Sequence, residues 1–348
     1  MRRKSKKVIC GDLEIGGNAP ISIQSMTNTD TRNVNETIEQ IKRLESAGCH
    51  LVRVAVPDLE AAEAISKIKK RVSIPVAADI HFDFRLAIKA MECGVDKIRI
   101  NPGNIGDSRR VEQIIEKAKK RQVPIRIGIN SGSLEKEIIN KYKGVTSEGL
   151  VESALKNIQL VENMGFSDIV VSIKSSGVVM NYKAHKLIAN KMAYPLHIGI
   201  TESGSKNSGL LKSAVGIGAL LLEGIGDTVR VSLTGDPVQE IYAAKEILKA
   251  TEIIQEGINV ISCPTCGRCC VDLERISSRI EAQIKDINKN MTVAIMGCEV
   301  NGPGEAREAD IGIAYGKNKV LLFKGGEIVA TLKKDEAEEA LIKEVLNF

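Results

Sequence analysis

Lys97-Ile-Arg-Ile-Asn101 and Pro124-Ile-Arg-Ile-Gly-Ile-Asn130, with an amphipathic segment over 108–121 between them, set the repeat of the chain. Each half is a compact, β-branched run closing on a polar residue, as a buried parallel strand does. Outward from this pair the same unit recurs at Ile21–Met26, Leu51–Val56, Pro75–Ile80, Asp168–Lys174, Pro195–Glu202 and Thr228–Thr234. Amphipathic helices separate them. One follows Asn35, with Ile38, Ile41 and Leu44 at helical spacing and Gly48 just past its end. Another opens at Asp236-Pro237-Val-Gln239, a cap, a first-turn proline and a capping-box glutamine. Segments 60–70, 84–92, 148–163 and 208–222 carry the same signature. Eight strands alternating with helices over about 250 residues predict an α/β fold of the (β/α)8 TIM-barrel type. The competing architecture is a doubly wound open sheet. Such sheets more often hold about five to seven strands, and no glycine fingerprint for a dinucleotide follows the first strand.

After Glu256-Gly257 the composition changes, which divides the chain into a barrel over 1–256 and a small α/β domain over 257–348. The second part is expected to carry strands at Ile258–Ser262, Thr292–Met296, Ile311–Tyr315, Val320–Phe323 and Glu327–Leu332, a charged helix over 272–287 and a helix to the end. Of the eight cysteines, five lie between 263 and 298, in Cys263-Pro-Thr-Cys266-Gly-Arg-Cys269-Cys270 and at Cys298. Two thiolates two residues apart face one point, and Gly267 allows backbone N–H groups to approach sulfur. A structural zinc knuckle and an iron–sulfur cluster both fit that spacing.

Hydrophobic residues make up 43% of the chain, enough for a full core, while aromatic residues at 3% with no Trp disfavour a stacking platform for nucleic acid. No run of 18 apolar residues exists, so no membrane span is expected. The basic run Arg2–Lys7 lacks the apolar segment of a signal peptide and reads as a solvated tail. Clustered cysteines without a secretory signal place the chain in a reducing cytoplasm.

Arg53, Arg99, Arg126, Lys174 and Arg230 lie inside or at the ends of apolar strands. A lone buried cation costs several kcal/mol, so each requires an anion. Asp79 and Glu202 cannot offset five cations, which points to an external polyanion such as a diphosphate, held at the carboxyl ends of the barrel strands. Around them stand His81, Asn101, Asn130, Ser172, His197, Thr201 and Ser232, with Glu202 the acid best placed at a strand end. The pairs Arg99/Asn101, Ser172/Lys174 and Arg230/Ser232 are i, i+2 and share a strand face. His50 and His185 read as structural or surface residues, and Cys10, Cys49 and Cys93 as small buried hydrophobes.

The strings Asn259-Val-Ile-Ser-Cys-Pro-Thr-Cys-Gly-Arg, Met296-Gly-Cys-Glu-Val-Asn-Gly-Pro-Gly-Glu-Ala, Ile98-Arg-Ile-Asn-Pro-Gly-Asn and Ile127-Gly-Ile-Asn-Ser-Gly-Ser-Leu resemble the 4-hydroxy-3-methylbut-2-enyl diphosphate synthase family. The resemblance runs from about residue 5 to the end and matches the compact two-domain bacterial form. It implies a [4Fe–4S] cluster on Cys263, Cys266, Cys298 and Glu305, whose distinct iron takes the substrate. The implied reaction is the reductive opening of 2-C-methyl-D-erythritol 2,4-cyclodiphosphate with two electrons from ferredoxin or flavodoxin. By the same resemblance Arg53, Arg99, Arg126, Lys174, Arg230 and Ser232 hold the diphosphate. Asp79, His81, Asn101, Asn130 and Glu202 address the carbon skeleton, with Glu202 the proton donor, and a homodimer is implied. Cys269-Cys270 depart from the family pattern, and Cys-x2-Cys-x2-Cys offers Cys269 as an alternative to Cys298. The rival readings are a barrel transferase for a phosphorylated or pterin substrate with a zinc-stabilised tail, and an RNA-binding module.

Overall fold

A computed structural model describes residues 2–202, 204–255, 257–285, 287, 289–298 and 308–348. The chain divides into two compact units, one up to Ile253 and the other from Ile254.

The first unit opens with an antiparallel hairpin, β1 (Val8–Cys10) and β2 (Leu13–Ile15). Eight parallel strands follow: β3 (Ser22–Met26), β4 (Leu51–Ala55), β5 (Val76–Asp79), β6 (Lys97–Ile100), β7 (Ile125–Asn130), β8 (Ile169–Lys174), β9 (His197–Ile198) and β10 (Thr228–Val229). Their order is β8-β7-β6-β5-β4-β3-β10-β9. A parallel bridge between Val171 and Leu196 joins the two ends, and the Val171 N–H donates to the Pro195 carbonyl at 2.9 Å. The ring is therefore closed and the open-sheet alternative is excluded.

Strand alternation explains the mixed character of these runs. Ile98, Ile100, Ile125, Ile127, Ile129, Ile169, Val171 and Ile173 are all fully buried. They alternate with Lys97, Arg99, Arg126, Ser172 and Lys174, which a period of two places on the opposite, lumen face. Barrel interiors are usually filled by branched apolar side chains. Here the lumen is polar and the apolar residues seal the strands against the helices. At the amino-terminal end of the strands, Val8, Cys10 and Ile15 of the hairpin pack on Leu51, Ala77 and Val170.

Three expectations need correction. The first helix is Val34–Ser46 and is capped by Asn33, whose side chain accepts from the Glu36 N–H at 3.4 Å, so it begins before Asn35. The last two barrel strands are only two residues long, and just past them the backbones run close together. A Cβ on Gly199 would lie 2.4 Å from the Arg230 carbonyl oxygen. The basic run at the start is no solvated tail. Arg3 donates to the carbonyls of Ala189, Met192 and Tyr194 at 2.8–3.0 Å, and Arg2 pairs with Asp227 at 2.9 Å. Those cations strap the chain start to the barrel.

The second unit is a five-stranded sheet in sequence order: β11 (Ile258–Ser262), β12 (Met291–Met296), β13 (Ile311–Tyr315), β14 (Val320–Lys324) and β15 (Glu327–Leu332). The first three strands run parallel and the last two are added antiparallel. Helices Leu273–Ile284 and Ala337–Asn347 supply Ile280, Ile284, Leu341 and Val345 to a core with Val293, Ile295 and Ile313.

Candidate functional site

The lumen opens at the carboxyl ends of the strands into a cavity of about 120 Å³, lined by Arg53, Asp79, His81, Arg99, Arg126, Asn130, Ser172, Lys174, Thr201 and Arg230. Register aligns the groups: Asp79, Arg99 and Arg126 sit side by side on β5, β6 and β7, and Gly128 faces Ser172 while Asn130 faces Lys174. Asp79 is the hub. Its carboxylate meets Arg99 Nη1 at 3.2 Å, Arg53 Nε at 3.6 Å and His81 Nε2 at 3.6 Å. Burial alone would raise its pKa, but Arg53, the His81 hydrogen bond, Arg99 and Arg126 together hold it well below the usual carboxylate range. Asn130, with its amide oxygen turned inward, accepts from Arg99 Nη2 at 3.2 Å.

The cations outnumber their partners. Arg230 Nε lies 3.5 Å from Glu240, which also accepts from Ser25 and the Leu233 N–H. Arg126 and Lys174 have no carboxylate within ion-pair distance among the described residues. Burial depresses the pKa of both well below the ordinary value. Arg53 and Arg99 add repulsion at Arg126, and Arg230, Arg126, Arg53 and Arg99 add it at Lys174. Burial brings Arg53 down to about 10 despite Asp79. A protein holds such a cluster only where an anion of matching charge arrives.

Some expected residues stand elsewhere. Asn101 is buried but caps the short helix Pro102–Ile105, its Oδ1 accepting from the Gly103 N–H at 3.2 Å. Glu202 is exposed in left-handed backbone at φ 51° and does not line the cavity, and Ser232 is half-buried beyond the end of β10. The carboxylate that joins Asp79 is thus Glu240 rather than Glu202. Glu240 sits on the buried face of helix Val238–Ala250 beside Ile241, Ala244 and Ile247. An acid interrupting an apolar helical stripe was the signal for it. His185 is fully buried with Nδ1 2.9 Å from the Asn181 carbonyl oxygen, its pKa pushed down to about 4 by burial.

In the second unit the cysteines gather where β11 and β12 end. Gly297 N–H donates to Cys263 Sγ at 3.2 Å. The Arg268 backbone and side chain hold the Cys266 thiol below its ordinary pKa. Cys269 Sγ donates to the Val271 carbonyl at 3.2 Å, and Cys270 Sγ to that of Gly316 at 3.2 Å. Both sulfurs are engaged with backbone carbonyls. Among the described residues no three Cys, His, Asp or Glu side chains already stand as a metal-ligand group; Glu305 lies outside the described residues. The donor set still fits a soft iron–sulfur group: three thiols on two adjacent strand ends, one receiving an N–H and one held toward thiolate.

The fold and the site define an α/β barrel that receives a polyanion, followed by a cysteine-bearing α/β domain. The chain matches the family models described as the GcpE TIM-barrel domain over residues 5–245 and the GcpE protein C-terminal domain over 259–347, and it belongs to the GcpE family. It is 58% identical over 344 residues to a 4-hydroxy-3-methylbut-2-en-1-yl diphosphate synthase (flavodoxin) of Ruminiclostridium cellulolyticum, covering 99% of this chain and 98% of that one. The protein of the same name from Geobacter sulfurreducens is 52% identical over 345 residues, covering 99% and 98%. Among solved structures, the dihydropteroate synthase of Stenotrophomonas maltophilia superposes with a TM-score of 0.53 at 13% identity, over 71% of this chain and 97% of that one. That likeness concerns the barrel fold alone.

Proposed function

We propose that this chain opens 2-C-methyl-D-erythritol 2,4-cyclodiphosphate reductively to 4-hydroxy-3-methylbut-2-enyl diphosphate. Two electrons and two protons are consumed and one water leaves. The observation that carries this reading is a cavity lined by five buried or half-buried cations and the carboxylate of Asp79, with Glu240 reaching Arg230. A cyclic diphosphate supplies the missing negative charge.

Arg126 and Lys174, the cations without carboxylate partners, grip the diphosphate, and Arg53, Arg99 and Arg230 complete the clamp. Ser172 and Asn130 orient the ring by hydrogen bonds. Asp79 fixes the forks of Arg53 and Arg99 and keeps His81 at the cavity mouth, while Asn101 holds the turn after β6 in shape. Glu202 and Ser232, on the segments after β9 and β10, reach the substrate by movement of those segments, and Glu202 delivers a proton to the departing hydroxyl. Cys263, Cys266, Cys298 and Glu305 hold a [4Fe–4S] cluster, which when bound supplies low-potential electrons one at a time. Flavodoxin, with ferredoxin as its substitute, is the donor.

The working form is a homodimer in the cytoplasm. Leu211, Val215 and Leu222 line one face of helix Lys206–Leu222 and are 61–74% exposed, an apolar stripe suited to a second copy. All eight cysteines are free thiols, and no helix among the described residues is long and apolar enough to cross a membrane.

The test is metal and sulfide analysis of full-length protein purified without oxygen, followed by turnover of the cyclic diphosphate with reduced flavodoxin. About four iron and four sulfide per chain, with ring opening, support the reading. One zinc without sulfide overturns it in favour of a transferase.

A further inference from the structure

The cysteines occupy one edge of the second unit, and that edge has a second feature. β13 is parallel to β11 and β12, so the turn after it, Gly316–Lys319, emerges beside the cysteine loops. The turn is closed by a 2.7 Å bond from the Gly316 N–H to the Lys319 carbonyl. It is tied to the cysteine loop directly: Cys270 Sγ donates to the Gly316 carbonyl at 3.2 Å, and the Cys270 N–H donates to the Gly297 carbonyl at 3.1 Å. Lys317, Lys319 and, on the cysteine loop, Arg268 are all exposed.

Lys317 and Lys319 make no ion pair among the described residues. Two acids on the same edge are already committed. Asp272 caps its helix by accepting from the Arg275 N–H at 3.2 Å, and Glu336 pairs with Lys333 at 3.7 Å. Two other lysines of the unit do face carboxylates, Lys324 with Glu344 and Lys333 with Glu336.

We infer that the turn bearing Lys317 and Lys319, with Arg268, is the docking surface for the electron donor, a small flavoprotein with acidic side chains around its flavin. The inference rests on the reductase reading given above. Electron transfer weakens steeply with distance, so the donor must approach the cysteine edge. Exposed lysines without ion pairs among the described residues steer an acidic partner without demanding a tight complex, which lets the spent donor leave. Cys270 acquires a role in this arrangement as the link that holds the docking turn against the cysteine loop.

The experiment uses cluster-loaded full-length protein, wild type and Lys317→Glu/Lys319→Glu. Turnover of the cyclic diphosphate is driven either by reduced flavodoxin or by dithionite-reduced methyl viologen. The expected result is a KM for flavodoxin about tenfold higher at low ionic strength, with viologen-driven turnover unchanged. The gap should close at about 0.5 M salt, where such steering is screened. Lys324→Glu, at the other end of the sheet, should leave both arms unchanged. An unaltered flavodoxin KM in the double variant, or an equal loss with both donors, overturns the docking surface. Absence of viologen-driven ring opening in the wild type would instead remove the reductase reading, and this inference with it.

Discussion

The backbone N–H of Gly297 donates to the sulfur of Cys263 across 3.2 Å, joining the loop after β12 to the loop after β11. Gly297 has no room for a side chain, since a Cβ there would lie 2.5 Å from Cys269 Sγ. Cys269 is therefore packed against the residue before Cys298, with its Sγ 3.2 Å from the Val271 carbonyl oxygen. This geometry favours Cys298 over Cys269 as the third thiol. Gly297→Ala should cost about 1–3 kcal/mol by overpacking and lose most of the iron. Gly297→Ala/Cys269→Ala should recover it. Iron analysis of both proteins decides the matter, and a double variant as poor in iron as the single one would make Cys269 a ligand.

Asp79 is the carboxylate that Arg53, Arg99 and His81 share. Asp79→Asn keeps the shape but leaves the arginines buried without a counter-charge, at a cost of about 3 kcal/mol. Added diphosphate should return part of that stability. Urea unfolding with and without inorganic diphosphate measures both effects.

Lys174 provides a pH signature. Burial and the surrounding arginines hold its pKa well below 10.5 in the free protein. An unfolded chain then binds more protons than the folded one between the depressed pKa and 10.5, so stability rises with pH across that window. A bound polyanion raises the lysine pKa again, so binding takes up a proton and weakens as pH rises through the free-protein value. Calorimetry of diphosphate binding in buffers of different ionisation enthalpy should detect the uptake. Lys174→Met should abolish both the uptake and the slope.

Gly128 makes room for a guanidinium. A Cβ on it would stand 2.7 Å from Arg99 Nε and 3.3 Å from Ser172 Oγ. Arg99 is buried and held by Asp79 and Asn130, so Gly128→Ala should cost about 1–3 kcal/mol by overpacking. The displaced fork should weaken substrate binding about tenfold, equivalent to about 1.4 kcal/mol. Titration of the variant with the cyclic diphosphate checks this, and unchanged affinity would show that Arg99 does not touch the substrate.

Local pattern was enough to reveal eight strand–helix units, the change of composition near residue 256, the cysteine spacing and the cations embedded in apolar strands. All of these follow from nearest-neighbour chemistry: a period of two in strands, caps and breakers at helix ends, and the cost of burying charge. The tertiary structure decided which charges meet. Glu240 reaches Arg230 only because helix Val238–Ala250 packs back on the barrel, and Glu202 turns outward because its backbone is left-handed. Arg2 and Arg3 read as a solvated tail until Asp227 and the carbonyls of residues 189–194 came within reach. Spacing offered Cys269 as an alternative to Cys298, and only the tertiary structure shows Cys269 Sγ engaged with the Val271 carbonyl and packed against Gly297. A sequence records which groups can interact, but partners far apart along the chain are chosen by ring closure and packing, which no local pattern encodes.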